Sequence, residues 1–157
     1  MEIRDEREEP QDRPRRAHRR NAGQRGDPMI ALDTLALVYW LSGREDLSET
    51  ARNTIETELN GGDILISTIT LLDVAQFVED GRLALAMDTR SWLSALVAIE
   101  GVRTIPVSTA IAARAASTSS ELNSHQRLIA ATAYTHGCAL VTPEARIGTL
   151  AYVETVW

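Results

Sequence analysis

The sequence has 157 residues, 44% of them hydrophobic, which allows one substantial core and is too short for two domains of ordinary size. Its formal net charge is −6, and all sixteen basic residues are arginine, so mechanisms that need a lysine, including that of a P-loop, are excluded. The single cysteine, Cys138, excludes an internal disulfide and a metal site built from several cysteines.

The first 28 residues differ in composition from the rest of the chain. They carry eight arginines and seven acidic residues with almost no large apolar side chain, so they cannot offset the entropy cost of ordering. We therefore predict a disordered tail at residues 1–28 and one domain at residues 29–157. No stretch approaches the ~20 consecutive apolar residues of a membrane helix, and the first ten residues lack the apolar segment of a secretory signal. A cytoplasmic location is expected.

Short apolar runs alternate with segments of helical periodicity from residue 29 onward. The apolar runs predict buried strands at residues 29–32, 64–66, 102–107 and 139–141, with a candidate edge strand at 153–156. Capping residues and glycines predict helices at residues 33–41, 48–59, from 68 or 70 to about 80, 88–99 and 108–116. Ser124 is the predicted cap of a further helix that includes residues 128–133 and is ended by Gly137, and a short last helix has Pro143 in its first turn.

Strands that alternate with helices indicate an α/β fold with a mostly parallel central sheet of four or five strands, covered by helices on both faces. In such sheets, ligands bind beyond the carboxyl ends of the strands. Asp33 follows the first predicted strand and Glu144 follows the fourth. Asp73 lies on the otherwise apolar face of the third helix, where an unpaired carboxylate would be costly to bury.

These three acids predict a divalent-metal site. Carboxylates are proper ligands for Mg²⁺ and Mn²⁺, which hold water and phosphate oxygens in phosphodiester chemistry. Each acid also has a structural explanation: Asp33 can cap a helix, Glu144 can favour a helix N-terminus, and Asp73 can have a polar partner at the edge of the core. Their coincidence at one edge of the sheet favours the metal site.

Five short segments occur in an order and spacing that are more specific than any one of them alone. They are IALDT at 30–34, ISTITLLDV at 66–74, GRL at 81–83, RLIAATA at 127–133 and LVTPE at 140–144. Together they resemble PIN-domain proteins of the VapC toxin type, over nearly all of residues 29–157. The resemblance implies a PIN-like three-layer α/β/α sandwich. It also implies a toxin ribonuclease that requires Mg²⁺ or Mn²⁺, forms a homodimer and is neutralised by a small VapB-like antitoxin.

The acidic positions of that family fall on Asp33, Asp73, Gln126 and Glu144. The family usually has Glu at the second position and Asp at the fourth. Asp73 and Glu144 therefore keep the negative charge, but the Asp73 side chain is one methylene shorter than usual and the Glu144 side chain is one methylene longer. The third position usually has Asp, and the neutral amide of Gln126 binds a hard dication more weakly than a carboxylate. Asn123, where many relatives have a further Asp, does not restore this charge. Two explanations remain open: a slow or altered nuclease in which Glu144 compensates, or a decayed site.

The resemblance gives a working mechanism for RNA cleavage. Asp33, Asp73 and Glu144 hold one or two divalent ions, the ions activate a water for attack on the phosphodiester, and Gln126 and Thr34 orient that water. No separate nucleophile is required.

Two basic side chains lie beside Gln126 in the sequence. Arg127 is a candidate for contact with an RNA phosphate or for pairing with a site acid. His125 could bind manganese, but a surface histidine at the start of a helix is the favoured interpretation.

The charge of the predicted domain limits how it can bind partners. Residues 29–157 contain eight arginines and fifteen acids, a net charge of −7, which does not favour general attraction to RNA phosphates. An arginine-rich antitoxin segment is better suited to the acidic site. The alternative function is a non-catalytic PIN-like module that binds RNA or an antitoxin. A phosphate-accepting Asp33 is disfavoured, because Leu35 stands where such loops carry a second Asp.

Overall fold

The computed structural model describes residues 28–118 and 121–157, so the predicted tail lies almost wholly outside the described residues. Within them, all paired strands run parallel in one sheet. The strands are β1 (Met29–Leu32), β2 (Asp63–Ser67), β3 (Val102–Ile105), β4 (Ala139–Val141) and β5 (Thr155–Val156). Their order across the sheet is β3-β2-β1-β4-β5, which places β1 at the centre and the predicted last strand at an edge.

Helices connect the strands along the described chain. They are α1 (Thr34–Leu41), α2 (Glu49–Leu59), α3 (Thr68–Glu79), α4 (Thr89–Val97), α5 (Thr109–Ala116), α6 (Ser124–Thr135) and α7 (Ala145–Gly148). In the part of the chain that is described, no helix has the length and apolar character needed to cross a membrane.

Polar caps explain where the first five helices begin. The side chains of the residues just before α1 to α5 each accept a hydrogen bond from a backbone N–H in the first turn, which satisfies a donor that the helix leaves unpaired. These capping residues are Asp33, Ser48, Ser67, Asp88 and Ser108.

The predicted starts of the last two helices were wrong. Asn123, rather than Ser124, caps α6, because its Oδ1 accepts the Gln126 N–H at 2.9 Å while Gln126 Oε1 accepts the Asn123 N–H at 3.1 Å. This reciprocal pair is a capping box. The short helix α7 begins after Glu144 rather than at Pro143, because the Glu144 carboxylate accepts the Arg146 N–H at 3.1 Å.

Alternation along the strands divides the core into two layers. Ile30 and Leu32 of β1 pack with apolar residues of α1 to α4, whereas Ala31 packs with α5, α6 and α7. Trp40 and Trp92 are partly buried against the first of these layers. The predicted three-layer α/β/α sandwich is confirmed, and its parallel strands bring their carboxyl ends to one edge.

Candidate active site

A cavity of about 550 Å³ lies where the carboxyl edge of the sheet meets the starts of α1 and α6 and one side of α3. Five predicted site residues line it: Asp33, Thr34, Asp73, Gln126 and Glu144. Residues that are far apart in sequence therefore line one cavity that is partly open to solvent. Their chemical roles stay predictions.

Asp33 is the most buried acid of the cavity, with 7% of its surface exposed. Its Oδ1 accepts the Ala36 N–H at 2.7 Å, and its Oδ2 accepts a hydrogen bond from the hydroxyl of Thr142, just after β4. Loss of solvent on burial raises the pKa of Asp33 from 3.8 to about 6, despite these hydrogen bonds. Asp33 is thus both a helix cap and a cavity residue. The hydrogen bonds to its carboxylate do not fully offset the hydration that the ionised form loses on burial.

Asp73 is held by two polar neighbours. The hydroxyl of Thr34 donates to Asp73 Oδ2 at 2.6 Å, and Nδ1 of His125 contacts Asp73 Oδ1. The Asp73 side chain is 13% exposed and that of His125 is 34% exposed. His125 therefore differs from the surface histidine favoured by the sequence, because the start of α6 faces α3 across the cavity.

Glu144 is engaged by an arginine two residues further along the chain. Nε of Arg146 donates to Glu144 Oε1 at 2.9 Å, and Nη2 donates to Oε2 at 3.1 Å. These side-chain hydrogen bonds lower the pKa of Glu144 below its usual value. Glu144 therefore lines the cavity as a carboxylate already neutralised by a partner.

Gln126 links the cavity to the start of α6. Its Oε1 accepts the backbone N–H of Asn123, while its Nε2 donates to Glu144 Oε2 at the long distance of 3.5 Å. The oxygen that could bind a cation is thus engaged by the helix cap, and the amide nitrogen is directed to Glu144. In this arrangement Gln126 does not replace the missing carboxylate.

The arginine that lines the cavity is not the one favoured by the sequence. Arg127 does not line it within the described residues, and its Nη2 donates to Ser124 Oγ at 3.4 Å. Arg82 does line it, with its guanidinium carbon 4.0 Å from the centre of the Phe77 ring. Arg82 was not placed at the cavity from the sequence, although Gly81-Arg-Leu83 was one of the segments that carried the resemblance.

The donor chemistry of this cavity fits a hard divalent ion, because three carboxylates line it and one of them, Asp33, is a buried acid whose pKa is raised. Among residues 28–118 and 121–157, however, no group of three His, Cys, Asp or Glu side chains is close enough to hold a metal ion. Mg²⁺ usually keeps several waters and needs only one or two protein carboxylates besides substrate phosphate. The cavity thus fits an open, partly hydrated ion site rather than a closed protein cage.

Comparison with known proteins places the chain in a family. The PIN-domain family profile matches residues 30–151, so the chain belongs to the PIN-domain family. It is 31% identical over 132 residues to Ribonuclease VapC22 of Mycobacterium tuberculosis (strain ATCC 25618 / H37Rv). The aligned region covers 82% of this chain and 98% of that protein. The resemblance inferred from the five sequence segments is confirmed.

Solved structures show the same fold. The structure of VapBC2 from Rickettsia felis bound to a DNA fragment from its promoter matches with a TM-score of 0.62 and 18% identity, over 82% of this chain and 97% of that one. A toxin-antitoxin complex from Klebsiella pneumoniae matches with a TM-score of 0.58 and 22% identity, over 82% of this chain and 96% of that one. At these identities the likeness concerns the fold alone.

Proposed function

We propose that this protein is a metal-dependent endoribonuclease and the toxin of a VapBC-like toxin-antitoxin pair. The observation that carries the proposal is the placement of Asp33, Asp73 and Glu144 around one cavity at the carboxyl edge of a PIN-domain sheet. The likeness to Ribonuclease VapC22 supports RNA as the substrate, and the solved toxin-antitoxin complexes support an antitoxin as the partner.

The side chains of the cavity have distinct roles in this proposal. Asp33 and Asp73 would hold Mg²⁺ or Mn²⁺, with Glu144 as a third ligand once Arg146 releases it. The ion would lower the pKa of a water and offset the charge that develops on the phosphate. The hydroxyl of Thr34 keeps the Asp73 carboxylate in place, as its 2.6 Å hydrogen bond indicates.

Gln126 is expected to make the enzyme slower than one with a fourth carboxylate. Its amide can orient a water or a phosphate oxygen, but it supplies no negative charge for the ion. Loss of one preorganised electrostatic contact typically costs about 3–4 kcal/mol of transition-state stabilisation. The proposal is therefore a working nuclease with a reduced rate.

Removal of divalent ions should abolish RNA cleavage by the full-length protein. We expect cutting of a mixed RNA pool with Mn²⁺ or Mg²⁺, no cutting with excess EDTA, and recovery when the ion is restored in excess. Gel electrophoresis of end-labelled RNA, with samples taken over time, measures the rate under each condition. Cleavage that persists unchanged in EDTA, from protein free of contaminating nuclease, would contradict the metal requirement.

The alternative proposal is a PIN-like module that binds RNA or an antitoxin without cutting. It is favoured by the engagement of Glu144 with Arg146 and of the Gln126 oxygen with the helix cap. The same experiment separates the two proposals. Folded protein that retains RNA on a filter but leaves it intact with both ions would support the module.

The expected partners follow from charge and family. The domain formed by residues 29–157 has a net charge of −7, which suits a basic antitoxin segment placed near the carboxylates. A homodimer is proposed from the family resemblance alone.

Two arginine substitutions should show which guanidinium contacts the RNA. We expect Arg82→Ala to raise KM by about 10-fold with little change in kcat, because Arg82 lines the cavity and a phosphate contact is worth about 1–2 kcal/mol. Arg127→Ala is the matched control. Initial rates at several RNA and salt concentrations measure the effect, and loss of one contact to single-stranded RNA should reduce the salt slope by about 0.7. A larger increase in KM for Arg127→Ala than for Arg82→Ala would instead assign the RNA contact to Arg127.

A further inference from the structure

His125 meets Asp73 although the two residues are 52 positions apart in sequence. The start of α6 carries His125, and the middle of α3 carries Asp73, so the contact forms across the cavity and not within one helix. Both side chains line the cavity, and His125 is only 34% exposed. An imidazole nitrogen and a carboxylate oxygen are therefore side by side in the cavity in which the ion is proposed to bind.

The neighbouring residue cannot supply a negative ligand at this wall. Gln126 is neutral, and its Oε1 is the acceptor in the capping box of α6. Asn123 is likewise committed to the cap, because its Oδ1 accepts the Gln126 N–H at 2.9 Å. Gln126 reaches the cavity carboxylate of Glu144 only through its Nε2 donor, at 3.5 Å. Of these three residues at the start of α6, His125 is therefore the one that brings a nitrogen able to bind a metal ion to a cavity carboxylate.

We infer that His125 is a ligand of the divalent ion, bound through Nδ1 next to a carboxylate oxygen of Asp73. This inference rests on the proposed function and specifies the ligand set of that site. Binding of the ion requires the free lone pair of Nδ1 and an ionised carboxylate, so any proton held at this contact would leave to solvent. Waters complete the coordination, as an open site with two adjacent protein donors requires.

A nitrogen ligand changes which ion the site prefers. Imidazole suits transition metals, whereas Mg²⁺ selects carboxylate, carbonyl and water oxygens. A site with His125 and Asp73 should thus favour Mn²⁺ over Mg²⁺. Exchange of a carboxylate for a nearby histidine would retain metal binding while shifting its selectivity.

The opposing explanation is that His125 only occupies Asp73 by hydrogen bonding. In that case His125 competes with the ion, and its removal frees the carboxylate. The two explanations predict opposite signs for the change in metal affinity on substitution of His125. They therefore can be separated by binding alone, without any measurement of RNA cleavage.

The test is Mn²⁺ binding to the full-length protein. Titration measures the affinity, and pulsed EPR of the bound ion detects a coordinated nitrogen. We expect a directly coordinated nitrogen in the wild-type spectrum, lost in His125→Asn, with Mn²⁺ affinity reduced on the order of 10- to 100-fold. Mg²⁺ affinity should change much less. His136→Asn is the matched control, because the His136 ring contacts the Thr132 carbonyl at 3.0 Å at the other end of α6.

Two results would overturn the inference: bound Mn²⁺ without nitrogen coupling in the wild-type protein, or Mn²⁺ affinity that rises in His125→Asn. The wild-type spectrum alone decides the matter if the variant fails to fold, which circular dichroism checks. Mn²⁺-dependent cleavage without nitrogen coupling would reject this ligand and keep the proposed nuclease. Absence of both Mn²⁺ binding and cleavage would reject the proposed function as well.

Discussion

Asp33→Asn should reduce RNA cleavage by a factor on the order of 10² to 10³ while the protein stays folded. The substitution removes the charge of the most buried cavity acid, whose carboxylate would bind the ion. Asn is as good a helix cap as Asp, so the bond from the Ala36 N–H at 2.7 Å can be kept. Initial rates with Mn²⁺, for variant and wild type prepared identically, measure the loss.

A matched substitution separates this effect from a general loss of capping. Asp88 also caps a helix, and its Oδ1 accepts the Ser91 N–H at 3.0 Å, but Asp88 is exposed and is not among the residues that line the cavity. Asp88→Asn should therefore leave the cleavage rate unchanged. Wild-type cleavage by Asp33→Asn would show that the metal and the reaction do not depend on this carboxylate.

Asp33→Asn should also stabilise the protein at neutral pH in the absence of divalent ions. Burial raises the pKa of Asp33 from 3.8 to about 6, so between these values the folded state binds more protons than the unfolded state. The free energy of unfolding therefore falls as pH rises from about 4 to about 6 and stays lower above that range. A shift of about two pKa units corresponds to about 3 kcal/mol at most.

Urea unfolding of the wild type and Asp33→Asn at pH 4 and pH 7, both in EDTA, measures this linkage. The variant should be more stable at pH 7, and the difference should be mostly lost near pH 4, where Asp33 is protonated in the folded state and only partly ionised in the unfolded state. Other carboxylates titrate in both proteins and cancel in the comparison. A difference of the same size at both pH values would mean that the charge of Asp33 is not its cause.

The fold was largely predictable because local patterns and the long-range sheet agree. Apolar runs marked the strands within about two residues, and capping side chains such as Ser48 and Ser108 marked helix starts. The start of α6 was misplaced because Asn123 and Ser124 are both good caps. Only the reciprocal bonds between Asn123 and Gln126 decide between them, and these depend on side-chain geometry.

The candidate site was predictable where topology alone places a residue. Asp33 and Glu144 follow adjacent parallel strands, so their positions at one edge need no knowledge of packing. The neighbours of Asp73 depend instead on how α3 lies against α6, and no local pattern encodes that arrangement. For this reason the contact with His125 and the position of Arg82 in the cavity were missed.

The central position of β1 determines how the cavity can move. β1 is hydrogen-bonded to β2 on one side and β4 on the other, and the Asp33 N–H donates to the Val141 carbonyl at 3.1 Å. Local opening of a protein starts at edges, termini and loops, and central strands open last. Asp33 is therefore anchored on the most rigid wall of the cavity, and we expect any widening of the cavity to come from displacement of α3 and α6 rather than of β1.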